Sequence, residues 1–178
     1  EPSCKMIHSE RFLIKELTVS DATNEYLNWL KYDPEILNHI KESSSQMTMN
    51  NLRNYIQEKN KIDNVRFFGI FLKDSEKHIG NIKFEPINIE ESFAVMGTLI
   101  GDVDWRGKDV FSEIISVTGN WLVNKFGVKV IAIVVDENNY SAIRAYEKSG
   151  FIFEDHKFFY ENIEFNKPKF KSMILRLQ

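Results

Sequence analysis

Cysteine, proline and glycine are scarce in this chain of 178 residues, which has one cysteine, four prolines and eight glycines. Because Cys4 is alone, no internal disulfide can form, and we expect a reducing compartment, the cytoplasm. Cys4 lies near a chain end that is typically frayed, so we interpret it as an inert thiol. No segment has the composition of a linker, and we expect one domain over residues 1–178, with its core at 11–177.

Long hydrophobic runs and a strong excess of one charge are also missing. Asp, Lys, Asn or Glu interrupts every apolar stretch, so the sequence predicts no membrane partner, and residues 1–5 lack the blocks of a signal peptide. The 23 basic and 26 acidic residues give a net charge of −3, which argues against nucleic acid as the main partner. The four histidines show no metal-ligand spacing, and we expect no metal.

The composition is that of an ordinary globular domain, with 43% hydrophobic and 28% charged residues. Seven runs predict strands, and three adjacent ones favour an antiparallel meander. The order is strand, two helices, three strands, helix, strand, helix, two strands, which predicts a mixed α/β (α+β) fold. The predicted strands are Arg11–Leu17, Arg66–Leu72, His78–Phe84, Phe93–Ile100, Val128–Val135, Phe151–Phe159 and Phe170–Leu177.

Apolar residues at helical spacing predict the helices. Thr18 to Asp21 has the form of a capping box before the first helix, and Asp33-Pro34 stops that helix. Thr48 is expected to cap the second. The third begins at Val110 and ends at Gly127, and a short fourth helix follows a buried strand.

One segment suited to chemistry joins a strand to the N-terminus of the third helix. It reads Leu99-Ile-Gly-Asp-Val-Asp-Trp-Arg-Gly-Lys-Asp-Val-Phe111. Successive backbone N–H groups, the helix dipole, Arg106 and Lys108 would attract a phosphate or pyrophosphate there. A plain turn with a surface Arg and Lys explains the same residues equally well.

A second segment, Asn139-Tyr-Ser-Ala-Ile-Arg-Ala-Tyr-Glu-Lys-Ser-Gly-Phe151, carries the fourth helix, Tyr140 to Lys148. Ala142, Ala145 and Ser149 give this helix a face of small residues, which lets a thin ligand or another backbone approach closely. Tyr146 in this segment has a simpler interpretation as a half-buried core aromatic.

Together the two segments and the order of elements resemble the GNAT superfamily of acyl-CoA N-acyltransferases, from Arg11 to Leu177. The chain is most similar to the branch of ribosomal-protein N-terminal acetyltransferases and their small-molecule relatives. Arg11-Phe-Leu-Ile-Lys-Glu-Leu17, Tyr26-Leu-Asn-Trp-Leu30 with Asp33-Pro34, and Ile100-Gly-Asp102 carry that similarity. The resemblance implies a mostly antiparallel sheet of about seven strands flanked by helices.

The resemblance also implies that acetyl-CoA is the cosubstrate and that a primary amine attacks its thioester directly. The family's pyrophosphate loop reads Arg/Gln-x-x-Gly-x-Gly/Ala, and Arg106 opens it here. Leu99 to Gly101 would hold the pantetheine arm, Asn139 would bond the cofactor, and Tyr146 would protonate the departing thiolate. The implied cofactor-binding residues are Leu99, Ile100, Gly101, Arg106, Gly107, Lys108, Asp109, Val110, Phe111 and Asn139.

Two residues depart from the family's loop. Asp109 stands where the family has its first glycine, and Phe111 where it has glycine or alanine. We expect Asp109 to have an ordinary negative φ with its side chain in solvent, and Phe111 to point into the core with Ile115 and Trp121. These departures favour an alternative function, a non-catalytic acyl-CoA-binding or partner-binding module on the same fold.

The general base is a further departure, since Val95 stands where related sequences often carry Glu. Glu85 is the best substitute and Asp102 and Asp104 are weaker ones, although an amine with a lowered pKa needs no strong base.

The acceptor is open between a small-molecule amine, such as an amino sugar or a polyamine, and a protein N-terminus. Its site is expected between Tyr32 and Asn60 and near the last two strands, and Phe158-Phe-Tyr160 in a late strand is a candidate homodimer surface.

Overall fold

The computed structural model describes residues 6–32 and 47–178, which contain eight strands and five α-helices. Asp33-Pro34, the predicted end of the first helix, lies outside these residues. The strands are β1 (Ile7–His8), β2 (Phe12–Glu16), β3 (Arg66–Leu72), β4 (His78–Asn88), β5 (Phe93–Ile100), β6 (Val130–Asp136), β7 (Ile152–Phe153) and β8 (Phe170–Arg176). The helices are α1 (Asn24–Tyr32), α2 (Met49–Asn60), α3 (Val110–Phe126), α4 (Tyr140–Lys148) and α5 (Lys157–Glu161).

The strands follow the order β1-β2-β3-β4-β5-β6-β8-β7 in one sheet. The β1–β2, β2–β3, β6–β8 and β7–β8 pairs are antiparallel. β5 and β6 pair in parallel, from Phe93 opposite Val130 to Val95 opposite Ala132. The predicted mixed fold with a mostly antiparallel sheet is confirmed, and the two-residue β1 is the strand that the sequence did not indicate.

The chain forms two compact units. Of the described residues, 6–32, 47–83 and 98–106 form the first unit, and 84–97 and 107–178 form the second. In the first unit, the apolar faces of α1 and α2 cover β2 and β3. Tyr26 and Trp29 on α1 are three residues apart, and Leu52 and Ile56 on α2 are four apart, so each pair shares one helix face. These four side chains are at most 7% exposed.

In the second unit, α3 is the longest helix, with 17 residues. It buries a continuous stripe and ends at Gly127, whose φ of 68° is the left-handed conformation of a helix C-cap. The helix end predicted at Gly127 is therefore confirmed. The buried residues of the stripe are Val110, Phe111, Ile114, Ile115, Thr118, Gly119 and Leu122.

The first helix begins later than its capping box. The Asp21 carboxylate accepts a hydrogen bond from the Thr18 N–H at 2.7 Å, but the box opens only a 3₁₀ turn at Val19–Asp21. Thr23 caps α1 instead, because its hydroxyl accepts from the Tyr26 N–H at 3.2 Å. The sequence signal was correct for a helical turn and wrong for the helix that follows.

The strand predicted over Phe151–Phe159 is correct only near its beginning. Only Ile152–Phe153 pairs with β8, and the chain then turns into α5. His156 caps α5, because its Nδ1 accepts from the Phe158 N–H at 3.3 Å, and Phe159 is buried in an aromatic cluster with Phe93. Phe158 to Tyr160 is therefore helical and does not offer a strand for a homodimer.

The other predicted strands differ only at their ends: β4 runs four residues beyond Phe84, and β6 begins at Val130. Among the helices in the described ranges, none is long and apolar enough to cross a bilayer.

Candidate active site

The loop between β5 and α3 begins with a buried glycine. A Cβ on Gly101 would lie 2.0 Å from the Trp29 ring, so no larger residue fits. The Gly101 and Asp102 N–H groups both donate to the Ile79 carbonyl, at 2.9 and 3.0 Å. Arg106 donates from Nε to the Ile100 carbonyl at 2.9 Å, which ties the end of the loop to the end of β5.

Asp102, a weaker candidate for the general base, is held in an ion pair. Its carboxylate lies 2.9 Å from the Lys77 Nζ and accepts from the Asp104 N–H at 3.0 Å. Burial raises the pKa of Asp102, but the hydrogen bonds from Lys77 and Asp104 outweigh it and leave the pKa below its usual value. A carboxylate stabilised in this way is a poor base, and its evident role is to fix the loop.

Two residues with positive φ lead into α3. Gly107 has φ 71°, and Asp109, directly before the helix, has φ 58° and ψ 27°. The negative φ expected for Asp109 is therefore wrong, because this position keeps the left-handed conformation that suits glycine, which aspartate tolerates better than most residues. A left-handed residue followed by helical ones makes successive N–H groups converge, as in anion-binding nests.

The Asp109 side chain does not cap α3. Its carboxylate pairs with Lys148 at the end of α4, with 2.5 Å between Oδ1 and Nζ. Ser112 in the first turn of α3 and Ser149 after α4 are joined by a hydroxyl–hydroxyl hydrogen bond of 3.2 Å. The start of α3 is thus tied to the end of α4 by two side-chain contacts.

Three aromatic rings complete this connection. Phe111 packs edge-on against Tyr146 with ring centres 5.0 Å apart, and Phe151 lies 5.6 Å from Tyr146 and 6.0 Å from Phe111. Phe111 is 6% exposed. The prediction that Phe111 points into the core is confirmed, but the predicted ring neighbour is wrong: Phe111 packs on Tyr146 and Phe151, whereas Trp121 packs on Phe126. The bulky ring is therefore packed against α4 and the residue that follows its C-terminal turn.

The Tyr146 hydroxyl has no hydrogen-bond partner within residues 6–32 and 47–178, and burial raises the pKa of Tyr146 to about 12. The hydroxyl is therefore protonated at neutral pH and can act as a proton donor.

A family model described as an acetyltransferase (GNAT) domain matches residues 11–152. The chain belongs to the GNAT acetyltransferase family. This confirms the predicted enzyme class, an acetyltransferase with acetyl-CoA as the acetyl donor, and disfavours the non-catalytic module. A search of curated proteins found no match to the sequence.

Solved structures of acetyltransferases have the same fold. RimL, a ribosomal L7/L12 α-N-protein acetyltransferase in complex with coenzyme A, has a TM-score of 0.80 at 12% identity, over 97% of this chain and 98% of that one. Ribosomal-protein-S5-alanine acetyltransferase from Vibrio fischeri has a TM-score of 0.76 at 16% identity, over 98% and 97%. Spermidine N-acetyltransferase from Vibrio cholerae, in complex with CoA and spermine, has 0.68 at 17%, over 94% and 96%.

A pyrophosphate site at this loop of the GNAT domain stays a prediction, with which the backbone is compatible. A Cβ on Gly107 would meet nothing within 4 Å, so the backbone there is open to a ligand. The first N–H groups of α3 have no partner within the helix, as at every helix start. Since Asp109 keeps the glycine conformation and Phe111 turns inward, neither substitution closes the loop.

Asn139 has a structural task in this acetyltransferase. Its side-chain oxygen accepts from the Ala142 N–H at 3.3 Å and caps α4, the helix that carries Tyr146. Its contact with the cofactor stays a prediction, and so do the pantetheine contacts of Leu99 and Ile100, which are both half-buried at the end of β5.

The remaining base candidates lie on different elements. Glu85 is half-buried inside β4, three residues before the strand's end, and not at the terminus where the sequence placed it. Asp104 is exposed in the 3₁₀ turn Val103–Trp105. In the described part of the chain, no three His, Cys, Asp or Glu side chains are grouped as metal ligands.

The sequence did not indicate Lys148 or Ser112 as site residues. Lys148 is the last residue of α4, where a lysine is common, because it interacts favourably with the helix dipole. Within the described ranges its ion-pair partner is the left-handed Asp109, directly before α3. The sequence signal that could have indicated Lys148 was the aspartate in the place of a glycine, because an added negative charge is often paired with a positive one.

Proposed function

We propose that this enzyme transfers the acetyl group of acetyl-CoA to a primary amine by direct attack of the amine on the thioester. The observation that carries the proposal is the backbone before α3. Asp109 holds the left-handed conformation of a glycine, and Phe111 packs on Tyr146, so the anion loop keeps its form despite both substitutions.

Cofactor binding is proposed for the loop and its neighbours. N–H groups at the start of α3 hold the pyrophosphate, and Arg106 and Lys108 add positive charge. The end of β5 holds the pantetheine arm, and Asn139 contacts the cofactor from the start of α4. The complete set is Leu99, Ile100, Gly101, Arg106, Gly107, Lys108, Asp109, Val110, Phe111 and Asn139.

Proton transfers are proposed for two side chains. Bound acetyl-CoA supplies a thioester carbon that an uncharged amine can attack. Tyr146 donates its hydroxyl proton to the sulfur as the carbon–sulfur bond breaks, so that the thiol leaves uncharged. Glu85, directly or through a water, takes the proton that the amine nitrogen loses.

The acceptor class is a primary amine, either a small molecule or a protein N-terminus. Structural neighbours named for spermidine and for ribosomal proteins support both. The acceptor region predicted at residues 32–60 lies partly outside the described residues. The homodimer and the cytoplasmic location stay predictions.

Thiol release from acetyl-CoA in the presence of single amines tests this function. The panel contains spermidine, an amino sugar and a short peptide with a free N-terminus. We expect release above the amine-free rate with one of them, and an acetylated product by mass spectrometry. Calorimetry should show one acetyl-CoA site per chain, and no binding at about millimolar ligand would refute the proposal.

A further inference from the structure

An ion pair stands beside the anion loop where the family pattern has none. The Asp109 carboxylate and the Lys148 ammonium are 2.5 Å apart, and their side chains are 61% and 62% exposed. Exposed pairs of this kind add little to folding stability. Stability therefore gives no sufficient reason for an aspartate at a position that has the backbone conformation of a glycine.

The charge of Asp109 matters more for the ligand than for the fold. The residue directly precedes Val110, the first residue of α3, where the proposed function puts the two negative charges of a pyrophosphate. An unpaired carboxylate at this distance repels the phosphates, most strongly at low ionic strength. An ammonium in contact with the carboxylate cancels most of that repulsion.

The same pair also positions the Asp109 side chain. Lys148 follows Tyr146 by two residues and lies at the end of α4, so it draws the carboxylate toward α4. The Ser112–Ser149 hydrogen bond and the Phe111–Tyr146 ring contact join the same two helices. Together these contacts hold the loop in register with the helix that carries Tyr146.

We propose that Lys148 is a positioning residue for acetyl-CoA, which turns Asp109 toward α4 and neutralises it, so that the loop can bind a pyrophosphate despite the aspartate. The proposal rests on the proposed function, because it assigns the same loop to the same ligand. It makes Lys148 necessary only while residue 109 carries a negative charge.

A double-mutant cycle tests that condition. The variants are Lys148→Met, Asp109→Asn and the two together, with Lys148→Arg as the conservative replacement. Lys157→Met is the matched control, because it removes one charge from another exposed pair of the same unit, Lys157 and Glu91 at 2.5 Å. Acetyl-CoA affinity is measured by calorimetry at low and high salt, together with kcat and KM.

We expect Lys148→Met to weaken acetyl-CoA binding roughly five- to tenfold at low salt and less at high salt. The double variant should bind acetyl-CoA about as well as the native enzyme does, and so should Lys148→Arg. The kcat at saturating acetyl-CoA and the melting temperature should stay unchanged in Lys148→Met, which separates an effect on the ligand from an effect on folding.

Three results would overturn the proposal. If Lys148→Met binds like the Lys157→Met control, the pair has no role in binding. If Asp109→Asn fails to restore binding to Lys148→Met, Lys148 acts on the phosphates directly and not through Asp109. If the native chain itself binds no acetyl-CoA, the proposed function fails first, and that result is distinct from the other two.

Discussion

At the residue scale, Asp109 shows how a position can keep a conformation after losing the residue type that favours it. Its φ of 58° is costly for most side chains, and a short polar side chain reduces that cost by local interactions. Its ion pair with Lys148 holds the carboxylate on the side of the loop that faces the end of α4. Sequence reasoning placed the residue correctly in the loop and missed its conformation, because the expected φ was taken from residue type alone.

Replacing Asp109 by alanine separates conformation from charge. Asp109→Ala should lower the free energy of unfolding by about 1 kcal/mol, because alanine has no polar side chain to favour a left-handed conformation. Asp109→Gly should leave stability almost unchanged, since the relief at positive φ offsets the added freedom of the unfolded chain. Urea denaturation measures both, and equal losses for the two variants would contradict the left-handed assignment.

Tyr146 allows a test of the proton donor with its packing intact. Tyr146→Phe keeps the ring between Phe111 and Phe151 and removes only the hydroxyl. We expect kcat to fall roughly 100-fold while acetyl-CoA affinity hardly changes. Because the pKa of Tyr146 is about 12, its ionisation should not lower kcat of the native enzyme below about pH 10. A native kcat retained in the variant would assign the proton to water.

At the element scale, the first turn of α3 packs against α4. Phe111 is the side chain that joins the two helices, through its ring contact with Tyr146. Phe111→Ala should lower the free energy of unfolding by about 3 to 5 kcal/mol, because it leaves a cavity beside Tyr146 and Phe151. It should also lower kcat, since Tyr146 loses the ring that fixes it. Phe111→Leu is the control that refills most of the space, and equal stability of the alanine variant would mean that the ring is not packed.

Elements with strong local signals were predictable, and those that depend on distant partners were not. The apolar stripe of α3 and the cap at Gly127 are read from adjacent residues, so the sequence indicates both. The five-residue helix α5 was missed, because Phe151 and Phe153 alternate as in a strand and the prediction extended that strand to Phe159. Burial of Phe159 against Phe93 and the His156 cap override that local preference.

At the scale of the whole molecule, the function could be anticipated because two distant segments and the order of all elements agree with one family. The ion pair beside the loop could not be anticipated, because Asp109 and Lys148 are 39 residues apart in sequence. No periodicity links a loop residue to the last residue of a later helix. Tertiary contacts of this kind define the site and appear only once the chain is folded.

Stability should depend on pH through a half-buried histidine, His78. His78 lies among the rings of Tyr26, Trp29 and Phe71, and its Nε2 contacts the Asn81 Oδ1 at 2.7 Å and the Gly80 carbonyl at 2.9 Å. Both partners are acceptors, so Nε2 carries a proton. Burial lowers the pKa of His78 below its ordinary value of 6.5.

The unfolded chain therefore binds a proton at this histidine before the folded chain does. Stability should be full above pH 6.5 and should fall as the pH drops below that value, until the lowered pKa of the folded state is reached. His156 shifts in the same direction, mainly through burial, and adds to the slope. His78→Gln keeps an N–H donor and cannot titrate, so urea unfolding of this variant should show a smaller loss between neutral and acid pH.

The left-handed Asp109 also affects how members of this family are recognised. A signature that demands glycine at the loop would reject this chain, although its backbone follows the path that the glycine would take. What this chain retains there is a torsion angle and a local charge balance, and aspartate with a lysine on α4 satisfies both. Relatives that carry aspartate or asparagine at this position should accordingly be sought with a basic residue near the end of the following helix, and such pairs should change together.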